Sequence, residues 1–238
     1  MSVADELAAA FDERRSARAF RPEPIPEPEL RRLFAMAQRA PSWCNIQPWR
    51  VWVTSPPATA ALSAALLAAA RAALPAPEVP FPGTYPEPYL THRRACGHAL
   101  YAAMGIARDD KESRYGAWLR NYELFDAPHV AVVARDRALD QYGTLDVGVW
   151  LGFLLSAAAA LGIDTCPMAS LAAYPAALRR ELGIPADQVV LFGVALGRAD
   201  RDAPANACRT ARDPVDANVT FVDRLGLAAP APLEPLPR

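Results

Sequence analysis

Apolar positions recur along the chain at two spacings. From 28 to 40, Leu30, Leu33, Phe34 and Ala37 share one helical stripe and Pro28 sits in the first turn, so a helix is predicted there, with another over 3–15. Between them, Arg21 to Pro28 is a proline-rich stretch that reads as an extended connector. Trp49 to Thr54 alternates and is β-branched, the pattern of a strand, and Ala58 to Leu74 is an alanine-rich helix. Helical character resumes over 89–125 with a break near Gly105 and Ile106, and His129 to Ala134 is a short apolar strand. Val147 to Ile163 carries no charge and is apolar on every side, which predicts a helix buried all round. Its 17 residues fall short of the roughly 20 that span a bilayer, so no membrane association is expected. Pro175 to Leu182 is a helix opened by proline and stopped by Gly183, and Gln188 to Leu196 is a strand ending at Gly197.

Helices outnumber strands, and the strands are too few and too irregularly spaced for a β/α barrel or a doubly wound sheet; the class is α+β. No break in composition divides the 238 residues, so one domain over 1–238 is expected. Two proline-rich stretches stand apart. Pro75 to Pro88 suits neither a helix interior nor a central strand and opens a predicted lid over 75–125. Beyond Pro204 the chain turns irregular and ends in Pro230, Pro232, Pro235 and Pro237, an arm over 204–238 expected to lie along a neighbour.

The net charge of -1 provides no positive field for nucleic acid, which leaves small molecules as partners. With 52% hydrophobic against 21% charged residues, apolar surface remains for a subunit interface, and an oligomer is expected. The acidic start, without an apolar leader core, points to the cytoplasm. Cys44, Cys96, Cys166 and Cys208 lie far apart with no Cys-x-x-Cys, so free thiols are expected. His92 and Cys96 are four apart but have no second ligand pair, and no metal is expected.

The chemistry concentrates near the start. Arg14, Arg15, Ser16 and Arg18 crowd three guanidiniums and a hydroxyl into five positions, a set of forked donors that matches phosphate oxygens. Alone, such a cluster is also an ordinary basic helix terminus. After one helix-sized gap come Pro41, Ser42, Trp43, Asn45, Gln47 and Pro48, polar side chains and loop amides framed by prolines and indoles, which suit a flat heteroaromatic ring. No Gly-x-Gly-x-x-Gly, no Gly-x-x-x-x-Gly-Lys and no Gly-x-Ser-x-Gly occurs, so nothing indicates a separate dinucleotide domain, a P-loop or a serine hydrolase.

In this order the two segments resemble the signature of the FMN-dependent nitroreductase family, and the proline-rich lid resembles its nitrobenzene-type members. The resemblance implies a small mixed sheet enclosed by helices, an interlocked homodimer, and two FMN molecules at its interface. It implies reduction of nitroaromatics or quinones by NADH or NADPH in a ping-pong cycle, with no catalytic side chain because flavin N5 carries the chemistry. On the same resemblance Arg14, Arg15, Ser16 and Arg18 hold FMN phosphate, ribityl or ring oxygens, and Pro41, Ser42, Trp43, Asn45 and Gln47 border the ring. Pro167, Met168, Ala169 and Ser170 lie where the family presents backbone amides to N5, Asn121 gives a polar contact, and Arg212, then Arg209, reach the phosphate. The chain departs from the family at Trp43, where a second serine is usual, and at Ala169 and Ser170, where an acidic residue and a glycine are often found. Trp43, Tyr115 and Trp118 are the candidates for stacking on a small aromatic substrate. A reductive dehalogenase or ene-type reductase of the same fold stays open, as does a flavin-holding sensor without turnover.

Overall fold

The computed structural model describes residues 2–223; the rest of the expected C-terminal arm lies outside the described residues. Strands β1 (Trp49–Thr54), β2 (His129–Asp136), β3 (Asp164–Met168) and β4 (Gln188–Gly197) form one sheet in the order β1-β2-β4-β3, each neighbouring pair antiparallel. The parallel component of the expected mixed sheet reduces, among the described residues, to one bridge between Ser16 and Thr165. Seven principal helices surround it: α1 (Val3–Glu13), α2 (Glu27–Ala37), α3 (Ala58–Ala72), α4 (Tyr89–Ala103), α5 (Lys111–Leu119), α6 (Asp140–Ala160) and α7 (Pro175–Leu182).

Period-two alternation lets the sheet serve two cores. On β2, Val130 and Val132 pack with Leu62, Leu66, Tyr122, Leu171 and Leu178, while Ala131 and Val133 pack with Leu33, Trp49, Val147, Trp150 and Leu154. The central strand is therefore buried on both faces, by α3 and α7 on one side and by α2 and α6 on the other. Gly183 stops α7 in the left-handed conformation at φ 64, as its place in the sequence predicts.

Three expectations are corrected. The first helix ends at Glu13, not 15: Arg14 is already extended (φ -61, ψ 125), so no basic residue lies in the last turn and the arginines do not serve the helix dipole. The apolar helix starts at Asp140 and is not buried all round. Trp150, Leu154, Ala157 and Ala158 point inward, but Leu145, Gly148, Gly152 and Phe153 form an exposed stripe. By length and composition α6 is also apolar enough to cross a membrane, yet its inner face belongs to the protein's own core. Finally, Asp164–Met168 is a strand that the sequence pattern hides. Pro167 cannot donate to a ladder, and it is tolerated because β3 lies at the sheet edge.

The segment 89–125 divides into α4 and α5 near Gly105, at φ 68. The proline-rich stretch before it is pinned at its start: Ala76 donates to the Ala173 carbonyl at 2.8 Å, and the Glu78 carboxylate accepts from Val190 N–H, Arg137 and Arg179. Burial works against ionisation of Glu78, but these donors outweigh it and hold its carboxyl below the ordinary range.

His129 opens β2 with a 1% exposed imidazole. Its Nε2 accepts the Ile25 N–H at 2.9 Å, which ties the connector before α2 to the sheet. Burial lowers its proton affinity below the usual 6.5. The unfolded chain therefore takes up this proton at higher pH than the folded chain. Stability is complete above about 6.5 and is expected to fall as pH drops from there toward the folded value, by up to about 1.4 kcal/mol per pH unit. Melting curves at pH 7.5 and 5.5 should show the slope and lose it in His129→Gln; equal slopes would remove His129 as its origin.

Candidate functional site

The arginine segment is held extended against the sheet because a small and an aromatic anchor, three residues apart, are fixed to it. Ala17 and Phe20 are buried, Ala17 N–H donates to the Thr165 carbonyl at 2.9 Å, and Phe20 bridges Ala199. Phe20 crosses the end of β4 at Gly197, where a Cβ would lie 2.8 Å from Pro128 and 2.9 Å from Phe20, so only glycine admits the crossing. Arg14, Arg15, Ser16 and Arg18 are left half-buried and aimed at one cavity of about 260 Å³.

The same cavity receives Arg209 and Arg212 from the far end of the chain. Asn206 joins the two segments: its Oδ1 accepts the Arg18 N–H at 2.6 Å, and its Nδ2 donates to the carbonyls of Ala19 and Asp200 at 2.8 and 2.7 Å. It is 3% exposed, and its only sequence signal is its place at the head of the basic run. Cys96 from α4, Cys208, Thr210 and, from α1, Phe11 and Asp12 share the lining, with Asp12 the one carboxylate among its described residues.

The cavity holds more positive charge than its own residues neutralise. Among the described residues, the side chains of Arg14, Arg15 and Ser16 make no hydrogen bond or ion pair, and the buried Nε of Arg15 has no partner. Burial, followed by the charges of Arg201 and Arg209, lowers the Arg15 proton affinity. Arg201, which also borders Arg14 and Arg15 in an adjoining cleft, is a basic neighbour that sequence reasoning missed. A buried N–H without acceptor beside crowded guanidiniums fits an anionic ligand.

Arg18 also lines a second cavity of about 260 Å³ with Asn121, Arg120 and Phe125. Asn121 donates to the Trp118 carbonyl at 2.9 Å and accepts the Ser170 hydroxyl at 3.2 Å, which brings the two candidates together. Pro167 and Met168 belong to β3, with Met168 buried; the chain turns only at Ala169 and Ser170. Tyr115 stacks on Trp118 at 5.6 Å, and Trp118 meets Tyr122 edge-on at 4.9 Å, so Trp118 leads into the core.

Pro41 to Gln47 lies elsewhere. Ser42 Oγ accepts the Gln47 N–H at 3.0 Å, and Gln47 Nε2 donates to Asn45 O and Oδ1, both at 3.2 Å, so these side chains hold the turn through one another. Cys44, Asn45 and Gln47 have φ of 48, 57 and 47. Asp146, 7% exposed on α6, accepts the Trp43 N–H through both carboxylate oxygens at 3.2 Å. Sequence reasoning missed Asp146; its signal is a lone carboxylate at the head of the uncharged run. The turn thus sits beside the first half of α6, whereas Ala159, near its end, borders Arg14 and Arg15. Thirteen residues of helix keep the two sets about 20 Å apart within one chain.

A model of the nitroreductase family matches residues 12–198. Nitroreductase NfnB of Mycolicibacterium smegmatis is 36% identical over 200 residues, covering 84% of this chain and 85% of the relative. Nitrobenzene nitroreductase of Ectopseudomonas oleovorans is 34% identical, covering 88% and 94%. The crystal structure of the FMN-dependent NfnB from Mycobacterium smegmatis in complex with NADPH superposes with a TM-score of 0.90 at 33% identity, over 93% of this chain and 100% of that one. A match over most of the length, on a fold that presents an anion cavity beside the sheet, places this chain in the nitroreductase family.

Proposed function

We propose that the protein is an FMN-dependent oxidoreductase in which NADPH reduces nitroaromatic compounds, working as a homodimer in the cytoplasm. The observation that carries the reading is the convergence of Arg14, Arg15, Ser16, Arg18, Arg209 and Arg212 on one cavity, with a buried guanidinium N–H that has no partner among the described residues. A phosphate monoester answers both the charge and the orphan donor. When bound, FMN supplies hydride transfer from nicotinamide to acceptor at its N5. The chain's own work is to bind, orient and enclose. Arg14, Arg15, Ser16, Arg209 and Arg212 fix the phosphate. Arg18, which borders both cavities, carries positive charge toward the carbonyl oxygens of the ring. Asn45 Nδ2 and the Ser42 hydroxyl hydrogen, which have no acceptor among the described residues, are the donors the turn retains for the ring.

Two copies complete the site. Midway between Asp146 and Ala159 lie Gly152 and Phe153, on the exposed stripe of α6. A two-fold axis there, with the helices antiparallel, sets the turn of one copy beside the arginines of the other. Gly148 and Gly152 have open space where a Cβ would stand, so the helices can approach closely. The stripe of Val3, Leu7 and Phe11 on α1 extends the apolar surface to be covered. The four cysteines are free thiols, in keeping with a reducing compartment.

Purified protein loaded with FMN should be yellow, bleach with NADPH and recover when nitrobenzene is added under nitrogen; a protein that takes up no flavin ends this reading. Thiol footprinting adds a positional test. Cys208 and Cys96 line the arginine cavity and should react with iodoacetamide at least several-fold more slowly with FMN than without. Equal rates would move the phosphate elsewhere.

A further inference from the structure

Trp43 is 56% exposed and meets the 61% exposed Tyr142 edge-to-face, with ring centroids 4.5 Å apart and planes at 78°. Two large aromatic side chains are thus left on the surface beside Ser42, Asn45 and Gln47, at the end of α6 where the turn sits. Such rings normally add their area to a core or an interface. The indole is held in place from two directions. Tyr142 meets its ring, and Asp146, buried one helical turn further along α6, grips its backbone N–H. The next residues keep left-handed backbone at Cys44, Asn45 and Gln47, which costs of order 1 kcal/mol or more each and persists only where surroundings over-determine it. The outcome is a preorganised indole at the mouth of the ring-binding turn, at the position where the family pattern described above has a serine.

From this geometry we infer that Trp43, with Tyr142 behind it and Asp146 as its positioning residue, forms the wall that restricts the electron acceptor to a single flat, electron-poor aromatic ring. The inference rests on the function proposed above. An indole face is electron-rich and a nitroarene ring electron-poor, so the two stack favourably. The bulk of the indole, absent from a serine, narrows the slot against a second fused ring.

The test uses the flavin-loaded dimer with NADPH and compares nitrobenzene with 1-nitronaphthalene. Trp43→Ser and Tyr142→Ala should raise KM for nitrobenzene about threefold to tenfold, the range of one aromatic pair. They should lower KM for nitronaphthalene, while Tyr142→Phe, which keeps the ring, retains the wild-type ratio. Three results would overturn the wall: both KM values moving together, loss of flavin in the variants, or conversion to monomers in sedimentation, which would assign the pair to the subunit contact. Reduction of the bound flavin by NADPH without acceptor separates the two claims. If wild type is not reduced, the proposed function falls and takes the wall with it. If wild type is reduced but the selectivity ratio does not move, only the wall falls.

Discussion

A chain carrying Arg14→Ala and Ser16→Ala together is expected to fold normally and purify without colour. Neither side chain has a partner within the described residues, so their removal leaves no internal group unsatisfied. The segment itself is fixed by other means, the backbone bond from Ala17 to Thr165 and the buried Ala17 and Phe20. Melting temperature should therefore stay within a few degrees. The loss falls on the ligand: a charge-assisted bond to phosphate is worth about 1.5–3 kcal/mol and a neutral one about 1, so FMN should bind several hundred-fold more weakly. Fluorescence titration of the flavin-free protein with FMN measures this directly. Unchanged occupancy would mean that phosphate is held by Arg209 and Arg212 alone, or that another part of the chain carries the flavin.

Much of this site was legible because its residues are local in sequence. The run from Arg14 to Arg18 and the turn from Ser42 to Gln47 each carry their chemistry in a few adjacent positions, and β1, which follows the turn, alternates plainly. What could not be read depends on long-range contacts. Asn206 clips Arg18 across 188 residues, and Asp146 braces Trp43 across 103; neither partner carries a local signal of the other. The same holds for α6. Its uniform apolarity predicts burial all round, but one face is buried by the chain itself and the other is left exposed, and periodicity cannot tell those apart. β3 was missed because an edge position relaxes the rule that keeps proline out of ladders. Trp43 is the reverse case, a visible departure whose consequence needed Tyr142 in three dimensions.

Gly152→Arg should produce a folded, monomeric and colourless protein, although it touches no residue assigned to FMN. Among the described residues, nothing beyond the helix's own backbone lies within 4 Å of the added Cβ, and replacing a mid-helix glycine favours the helix by up to about 1 kcal/mol. The damage is confined to the outer face, where a guanidinium would be buried unpaired between two copies at a cost of several kcal/mol. Sedimentation and the visible spectrum read the two effects separately. Loss of the dimer with full flavin occupancy would refute a shared site. A mixed dimer settles the geometry further. One chain carries Arg14→Ala with Ser16→Ala and the other Ser42→Ala with Asn45→Ala, each under its own affinity tag. If arginines and turn come from different chains, one of the two sites in the mixed dimer pairs both intact halves and the other pairs both damaged ones. Such a dimer should recover about half the wild-type flavin, whereas each damaged homodimer binds little. If both halves came from the same chain, every site would keep one lesion and mixing would restore nothing.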